Sequence, residues 1–522
     1  MMNKPWAGAA VIALAIGSTP TRGAMALATC EDLAKAAIDH ATITAAESKP
    51  AGSFQPPEGQ AINVAVPFCR VSLTLKPSAD SDIKVEVWMP ATGWNGKFQG
   101  IGNGGFAGTI GYGSLASAVA RGYAAASTDT GHHNASGVDA SFALGHPEKI
   151  TDFGYRAIHE TAVAGKSLAN TFYSAAPKRS YFNSCSNGGR QALMEAQRFP
   201  NDYDGIIAGA PANYWTRLLS SAIVNVRATE GPGYVPASKL PAISAAALAA
   251  CDAADGVKDG VIENPAACAF DPSVLLCKDG DADSCLTAPQ VTALKTIYGA
   301  KSTATGQSVM AGYAPGGEAE PGGWGTWISG PTAQQALMYG FGTQFFKHMV
   351  FGDAAWDYRS FNLDRDSNAA ADNVGKLLNA DNPDLRAFRA RGGKLVMYHG
   401  WSDAAIPGQN AIDYYQAVAA AMGAPATESF VRLFMVPGMQ HCAGGNGATA
   451  FGQNDVATGD PEHNISAALE RWVEQGTAPQ QIIASKLSGT TVIRTRPLCA
   501  YPKTAHYKGA GSTDDAANFE CR

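Results

Sequence analysis

The chain has 522 residues, of which 46% are hydrophobic and 16% are charged, and its formal net charge is −6. This is the composition of a globular protein with a large core, and the 57 glycines and 29 prolines indicate many tight turns rather than a collagen-like or disordered chain. Because Lys and Arg form no block, the composition argues against a nucleic-acid or an anionic-membrane partner.

The N-terminus has the pattern of a secretory signal peptide over residues 1–26. Lys4 gives it a positive start, residues 6–17 form a short apolar run, and Ala24-Met25-Ala26 supplies the small-x-small cleavage pattern. The apolar run is too short to anchor the chain in a bilayer. We therefore expect a secreted or periplasmic protein without a membrane anchor; the alternative is a buried N-terminal helix.

Strand-like and helix-like segments alternate along the next part of the chain. Strands are predicted at 83–89, 97–101, 123–127, 179–183 and 204–209, and helices at 156–172 and 189–198. Such alternation predicts an α/β fold with a mostly parallel sheet and helices on its faces.

The pattern changes over residues 213–384, which carry four cysteines, many Gly and Pro residues, and helical pieces without a strand rhythm. We interpret this stretch as an inserted lid domain. Strands return at 393–399 and 430–436, so residues 27–212 and 385–522 together form the predicted catalytic domain.

A nucleophile elbow is predicted where the strand at 179–183 meets the following helix. The segment Ser184-Cys-Ser-Asn-Gly188 resembles G-x-S-x-G, with Ser184 in place of the first glycine. An elbow places the Ser186 hydroxyl at the C-terminal edge of the sheet. There the N–H of Asn187 and the helix N-terminus can stabilise an oxyanion. The alternative is an ordinary Ser/Gly turn.

A serine nucleophile needs a general base and an acid that orients it, and in this type of fold they follow in the order Ser, Asp or Glu, His. Asp403 follows the strand at 393–399, and His441 follows the strand at 430–436. We therefore predict a triad of Ser186, Asp403 and His441. His399 and His463 are rival bases, and a solvated turn is the alternative for Asp403.

Ten cysteines, an even number, predict disulfides in an exported chain. Sequence alone leaves their connectivity open, and short-range pairing offers Cys30–Cys69, Cys251–Cys268, Cys277–Cys285 and Cys499–Cys521. Cys185 and Cys442 remain, and they directly flank the predicted nucleophile and base. If the nucleophile and base are in contact, these two cysteines lie near disulfide distance.

Several motifs together make the chain resemble the tannase and feruloyl esterase family, which includes the bacterial hydrolase of mono(2-hydroxyethyl) terephthalate. The motifs are Gly102-Asn-Gly-Gly105, Cys185-Ser-Asn-Gly-Gly189, Gly209-Ala-Pro-Ala212, Trp401-Ser-Asp403 and His441-Cys442. The resemblance covers most of the chain after the signal peptide. It implies an α/β-hydrolase core, a large lid, and a disulfide joining the nucleophile and base segments. Ser184 departs from the glycine common in this family.

A second glycine-rich turn, 102–105, follows an early core strand. Because glycines let the backbone approach a substrate closely, we predict that N–H groups near Gly104 and Gly105 complete an oxyanion hole with Asn187. The alternative is a plain tight turn.

A calcium site is predicted in the loop 251–261. Its aspartates Asp252, Asp255 and Asp259 converge only if the loop folds around a cation, and the carbonyls of Val257 and Val261 could supplement them. The spacing is not that of an EF-hand, but the family resemblance implies a structural Ca²⁺ at these positions. A solvated acidic turn is the alternative.

The resemblance also implies the activity: a serine carboxylesterase acting on small aromatic esters, either feruloyl and other hydroxycinnamoyl esters or galloyl esters. Two alternatives remain, a terephthalate monoester hydrolase and a catalytically silent secreted binding protein on the same scaffold. Aromatic side chains of the predicted lid either line a pocket or form the lid core: Trp324, Trp327, Tyr339, Phe341, Phe345 and Phe346.

Overall fold

The structure is a computed structural model that describes residues 1–2, 29–134, 136–453 and 459–522. Apart from residues 1 and 2, the predicted signal peptide lies outside the described residues. Within these ranges, no helix is both long enough and apolar enough to cross a membrane.

A twisted sheet of nine strands forms the centre of the molecule. In chain order the strands are β1 (Ala41–Lys49), β2 (Phe68–Leu75), β3 (Ile83–Pro90), β4 (Lys97–Ile101), β5 (Ala124–Thr128), β6 (Arg179–Cys185), β7 (Gly205–Gly209), β8 (Lys394–Gly400) and β9 (Val431–Val436). Their order across the sheet is β1-β2-β3-β5-β4-β6-β7-β8-β9. The first three strands pair antiparallel, and β3 pairs antiparallel with β5. The remaining neighbours in the sheet, β5, β4, β6, β7, β8 and β9, all pair parallel.

Helices cover both faces of this sheet, and the sequences of the central strands reflect it. Every residue of β5 and β7 is buried, as expected for parallel strands enclosed on both sides. One face packs against α3 (Ala157–Tyr173) and α4 (Asn187–Arg198), and the other against α1 (Tyr112–Ala120) and α15 (Ile465–Gln475). The predicted α/β fold with a mostly parallel sheet is confirmed.

The chain leaves the sheet between β7 and β8 and forms a mostly helical insertion, whose apolar cluster also includes Phe106, Phe153 and Ile406 from outside the insertion. Its α-helices are α5 (Trp215–Ala228), α6 (Leu240–Cys251), α7 (Ala288–Tyr298), α8 (Trp324–Trp327), α9 (Leu337–Gln344), α10 (Leu363–Ala370) and α11 (Lys376–Leu378). The bounds of a separate lid at 213 and 384 stay a prediction.

Shorter elements complete the fold. The remaining α-helices are α2 (Pro147–Thr151), α12 (Arg386–Ala390), α13 (Gln409–Met422) and α14 (Ala424–Glu428), and π-helical turns span Asp152–Arg156, Phe345–Val350 and Ala371–Gly375. Short 3₁₀ turns span Glu31–Lys35, Ser141–Ala143, Gly231–Gly233, Ala237–Lys239, Asp252–Asp255, Pro265–Ala267, Pro272–Leu275, Ala333–Gln335, Tyr358–Ser360 and Ala516–Asn518. Four two-stranded ribbons pair Gly52–Phe54 with Ile62–Val64, Lys301–Ser302 with Ser308–Met310, Gln481–Ser488 with Thr491–Cys499, and Ala505–Tyr507 with Phe519–Cys521.

Five disulfides cross-link the chain. They are Cys30–Cys69, Cys185–Cys442, Cys251–Cys268, Cys277–Cys285 and Cys499–Cys521. These are the five pairs that the sequence offered, and four of them close short loops, whereas Cys185–Cys442 joins β6 to the segment after β9.

Candidate active site

Ser186 lies at a sharp turn between the end of β6 and the start of α4. Its backbone has φ 68° and ψ −125°, a strained conformation for a residue with a side chain. The turn is so tight that a Cβ at Gly188 would overlap the Ser184 hydroxyl, and one at Gly189 would overlap the Gly209 carbonyl. The glycines are therefore required by packing, and Ser184 is accommodated at the first position of the elbow motif.

The three predicted triad residues lie in hydrogen-bond contact. His441 Nε2 is 2.9 Å from Ser186 Oγ, and His441 Nδ1 is 2.8 Å from Asp403 Oδ2. They meet because β6, β8 and β9 are parallel, so the segments that follow them emerge at the same edge of the sheet. With Nδ1–H donating to Asp403, Nε2 is free to accept the serine proton.

The environment of Asp403 keeps it ionised. Burial alone would raise the pKa of this carboxyl, but His441 and His399 outweigh burial and hold the pKa well below its ordinary value. Its other oxygen, Oδ1, accepts the backbone N–H groups of Ala405 at 2.8 Å and Ile406 at 2.9 Å. The acid is thus fixed from two sides and is not a solvated turn residue.

The two rival histidines occupy other places. His399 is fully buried, and its Nε2 lies 3.1 Å from the Ile406 carbonyl and 3.3 Å from Asp403 Oδ2. It therefore contacts the acid of the predicted triad and not the nucleophile. His463 is half-exposed and contacts Asp460 through Nδ1 at 2.7 Å. In the part of the chain that the structure describes, His441 is the histidine that contacts the nucleophile.

The disulfide Cys185–Cys442 bridges the residues beside the nucleophile and the base. The Cα atoms of the two cysteines are 5.9 Å apart, within the ordinary range for a disulfide. Because Cys185 precedes Ser186 and Cys442 follows His441, the bond limits how far these two side chains can separate.

Two of the three residues predicted for the oxyanion hole, Asn187 and Gly105, line the pocket together with Ser186. Asn187 is the first residue of α4, so its N–H is one of the unpaired donors at a helix N-terminus. Gly105 lines the pocket beside Ser186, whereas Gly104 contributes its carbonyl to a turn with Ala107 N–H. The roles of Asn187, Gly104 and Gly105 in an oxyanion hole stay a prediction.

One pair of side chains that the sequence did not suggest fixes the glycine loop to the nucleophile's helix. Gln191 of α4 accepts the Asn103 N–H at 2.9 Å through Oε1, and its Nε2 donates to Asn103 Oδ1 at 3.2 Å. Asn103 Nδ2 in turn donates to the Thr128 carbonyl at the end of β5. The 102–105 turn is therefore held at a set distance from Ser186.

A narrow, largely apolar pocket, with a volume of about 50 Å³, adjoins the triad. Its lining is Gly105, Ser186, Asn187, Ala212, Trp215, Leu218, Leu219, Ala222, Trp327, Met338, Phe341, Ala405 and Ile406. Of the six aromatic residues singled out in the sequence, Trp327 and Phe341 line this pocket, and their rings stack at 5.8 Å. Trp327 also packs edge-on against the His441 ring at 5.0 Å.

Other predicted aromatics belong to the core of the insertion. Trp324, Phe345 and Phe346 are buried in its apolar cluster, and Tyr339 packs against it. The part of the pocket wall that α5 forms was not predicted from the sequence, because an apolar helix face has the same pattern whether it covers a core or a cavity.

The predicted calcium loop is folded, and its aspartates have protein partners. Asp252 accepts the N–H groups of Asp259 at 3.3 Å and Gly260 at 3.0 Å. Asp259 is also paired with Arg494 at 3.0 Å and Arg496 at 2.6 Å, two contacts that the sequence did not suggest.

The donor set suits a hard cation, although the three aspartates are not fully drawn together. Burial raises the pKa of Asp255, and the nearby Asp259 and Asp252 carboxylates raise it further, a cost that a bound cation would relieve. Among the described residues, the carboxylate oxygens of Asp252, Asp255 and Asp259 do not all come within 4.8 Å of one another. Val257 and Val261 line the same small cavity as Asp255 and Asp259, and the side chains of Glu263, Arg494 and Arg496 line it as well.

A family model described as "Tannase and feruloyl esterase" matches residues 69–522. The chain belongs to the tannase and feruloyl esterase family. Its relatives include an uncharacterized esterase of Xanthomonas campestris, 43% identical over 97% of this chain and 93% of that protein, and a probable feruloyl esterase B-2 of Aspergillus terreus, 34% identical over 88% and 87%.

Solved structures agree with this family membership. Feruloyl esterase B from Aspergillus oryzae superposes with a TM-score of 0.88 and 32% identity, covering 94% of this chain and 99% of that one. The predicted α/β-hydrolase fold is thereby confirmed, and the chain is a carboxylic ester hydrolase.

Proposed function

We propose that this tannase and feruloyl esterase family member is a secreted serine esterase that hydrolyses esters of aromatic acids, with feruloyl and other hydroxycinnamoyl esters, or galloyl esters, as its substrates. The observation that carries the proposal is the Ser186–His441–Asp403 hydrogen-bond relay at the mouth of an apolar pocket. The N-terminal export pattern and five disulfides support an oxidising destination outside the cytoplasm.

The proposed reaction follows from the positions of these groups. His441 Nε2 takes the Ser186 proton as Oγ bonds to the ester carbonyl carbon, and the C=O π pair moves onto the oxygen, which the N–H groups of Asn187 and the 104–105 turn stabilise. Collapse of this intermediate expels the alcohol, which receives the proton from His441. Water then attacks the acyl-enzyme by the same route and releases the acid.

The pocket supports an aromatic acyl group. Its walls include Trp215, Trp327 and Phe341 and, apart from Ser186 and Asn187, otherwise aliphatic residues and a glycine, so a flat ring bound there would contact apolar side chains. Burial contributes roughly 25 cal/mol per Å² of apolar surface, and ring contacts add about 0.5–1.5 kcal/mol. Two relatives carry feruloyl esterase in their names, which agrees with this class.

The pocket lining disfavours the first of the two alternatives, and the triad contacts disfavour the second. A terephthalate monoester carries a free carboxylate on the ring, and burying that charge without a partner is costly. Among the described residues that line the pocket there is no Lys or Arg to pair with it. A silent binding protein would not need the nucleophile, base and acid in hydrogen-bond contact.

An ester panel tests the substrate class. We expect kcat/KM for methyl ferulate or methyl gallate to exceed that for ethyl butyrate by about ten- to a thousandfold, since part of the ring's binding energy is realised in the transition state. Steady-state rates with these three esters and a terephthalate monoester give the comparison. Equal or faster turnover of ethyl butyrate would leave only a general carboxylesterase, and fastest turnover of the terephthalate monoester would favour that alternative.

We further propose a structural Ca²⁺ held by Asp252, Asp255 and Asp259 with the carbonyls of Val257 and Val261. A cation that binds the folded loop and not the unfolded chain stabilises the fold by mass action, by about 3 kcal/mol when it is present at a hundred times its dissociation constant. We therefore expect EGTA to lower the melting temperature by a few degrees and added Ca²⁺ to restore it.

Two variants sharpen the chelation experiment. Asp252→Ala is expected to abolish the EGTA effect, whereas Asp271→Ala, at an exposed aspartate of the insertion that caps a short turn, is expected to retain it. An unchanged melting temperature after chelation, with no calcium by elemental analysis, would contradict the site.

A further inference from the structure

Arg190 is a fully buried arginine in the first turn of the nucleophile's helix α4. Its Nε donates to the Asn187 side-chain oxygen at 2.8 Å, and Nη1 donates to the carbonyls of Gly154 at 2.8 Å and Leu378 at 3.2 Å. Nη2 donates to the Phe153 carbonyl at 3.1 Å. The guanidinium therefore makes four hydrogen bonds, all to neutral oxygens.

Aromatic rings, and not carboxylates, flank this guanidinium. Its central carbon lies 4.8 Å from the centre of the Phe153 ring and 5.1 Å from that of Trp215, which is a wall of the acyl pocket. In the described part of the chain, Arg190 forms no ion pair within 4.0 Å. Arg190 thus joins the nucleophile's helix to the pocket wall without a charged partner.

The charge of Arg190 is costly in the resting protein. Burial lowers the pKa of Arg190 to about 9, which still leaves it protonated at neutral pH. A buried cation without an anion is unfavourable. Its position in the first turn adds to the cost, because the N-terminus of a helix carries a partial positive charge. The buried charge of Arg190 and the partial positive charge of the helix N-terminus therefore lie together at the end of α4 that faces the substrate.

The backbone around Arg190 is arranged to hold it. Phe153 and Gly154 belong to the π-helical turn Asp152–Arg156, and Leu378 ends α11, where helix carbonyls lack partners within the helix. Three segments distant in sequence therefore supply oxygens to one guanidinium: the turn before α3, the end of the insertion, and α4 itself.

We propose that Arg190 is a positioning residue for the oxyanion of the reaction. Its uncompensated positive charge, with the N-terminus of α4, favours the negative charge that forms on the carbonyl oxygen when Ser186 attacks, and its Nε contact fixes Asn187. The counter-charge that the resting site lacks is thus supplied by the transition state, so the stabilisation raises kcat more than it lowers KM. This inference rests on the proposed esterase function.

Variants that separate charge from hydrogen bonding test the proposal. In Arg190→Gln and Arg190→Met the charge is lost, and we expect kcat on the best ester to fall by about 10- to 100-fold with KM changed less than about threefold, below the loss for a direct oxyanion donor. Arg190→Lys keeps the charge and is expected to keep kcat within about tenfold of wild type. Each rate is divided by the concentration of active sites, which is measured by titration with a fluorophosphonate so that only folded enzyme is counted.

A binding readout distinguishes this role from a structural one. An aryl boronic acid forms a negatively charged tetrahedral adduct on Ser186, whereas the amide analogue of the substrate binds as a neutral ground state. We expect Arg190→Gln to weaken the boronate in parallel with kcat and to leave the amide affinity unchanged.

Lys239→Met is the matched control. Lys239 is also a buried cation, but it lies in the insertion away from the pocket lining and donates to Asp281 and to the carbonyls of Ala282 at 3.0 Å and Cys285 at 2.7 Å. Its loss is expected to lower the melting temperature while leaving kcat and boronate affinity near wild type.

Three results would overturn the proposal. The first is a folded Arg190→Gln with wild-type kcat, and the second is equal weakening of boronate and amide. If neither neutral variant folds, a folded Arg190→Lys that loses more than about a hundredfold in boronate affinity overturns it, because that variant keeps the charge. If wild-type protein hydrolyses no ester of the panel, the proposed function fails first; boronate binding to wild type and Arg190→Lys then still tests the charge.

Discussion

Ser186→Ala is expected to lower kcat by about 10⁴–10⁶-fold on any ester that the protein hydrolyses, with little change in melting temperature. The hydroxyl is 2.9 Å from the His441 Nε2 that would take its proton, and alanine has no atom that can form the acyl-enzyme. The Cβ is kept, so the strained turn at φ 68° is no worse than in the native chain. Initial rates with an aromatic ester, together with thermal unfolding, measure both effects.

Ser184→Ala provides a control at a neighbouring serine. The Ser184 hydroxyl packs in the elbow against α4 and is not the atom in contact with His441, so this variant is expected to keep most of the activity and the fluorophosphonate label. More than a tenth of wild-type activity in Ser186→Ala would show that another residue is the nucleophile.

Asp403→Asn is expected to reduce kcat by about 10⁴-fold across the working pH range. An asparagine can present its N–H₂ to His441 Nδ1, which stabilises the tautomer with its proton on Nε2, and that nitrogen then cannot accept the Ser186 proton. Because the two histidines hold the pKa of Asp403 well below its ordinary value, the native carboxylate is ionised wherever the enzyme is folded near neutrality. Asparagine has no carboxyl group that a higher pH could ionise, so raising the pH should not restore the variant.

His399→Gln separates the two histidines that contact Asp403. A glutamine amide can replace the donor to Asp403 Oδ2 and to the Ile406 carbonyl, so we expect a loss of about tenfold or less. His441→Gln should in contrast be as inactive as Ser186→Ala. Comparable losses in His399→Gln and His441→Gln would contradict the assignment of a single base.

The three residues of the predicted triad could be singled out from the sequence because each follows a strand with a strong signal. The apolar strands before Ser186, Asp403 and His441 are parallel and buried, and the topology then brings their ends to one edge. The antiparallel strands β1 and β2 were not predicted. β1 is only partly buried along its length, so its sequence lacks a clear alternation of apolar and polar residues.

Features that depend on distant partners were not predictable from local patterns. Arg190 looks like a solvated residue of a helix in the sequence, and its burial depends on carbonyls 36 and 188 residues away. The same holds for Asp259, whose arginine Arg496 lies 237 residues further along. Sequence spacing carries no information on such contacts unless a motif or a known fold brings the segments together.

The Cys185–Cys442 bond also determines how the molecule responds to proteolysis. Its two cysteines are 257 residues apart, and the chain between them contains the whole insertion from α5 to α11. A single cut within the insertion would yield two polypeptides that stay covalently joined, with the nucleophile on one and the acid and base on the other. Only reduction would then release the fragments, so a nicked enzyme should migrate as one species without reductant and as two with it, and the bond would still tether Ser186 to His441.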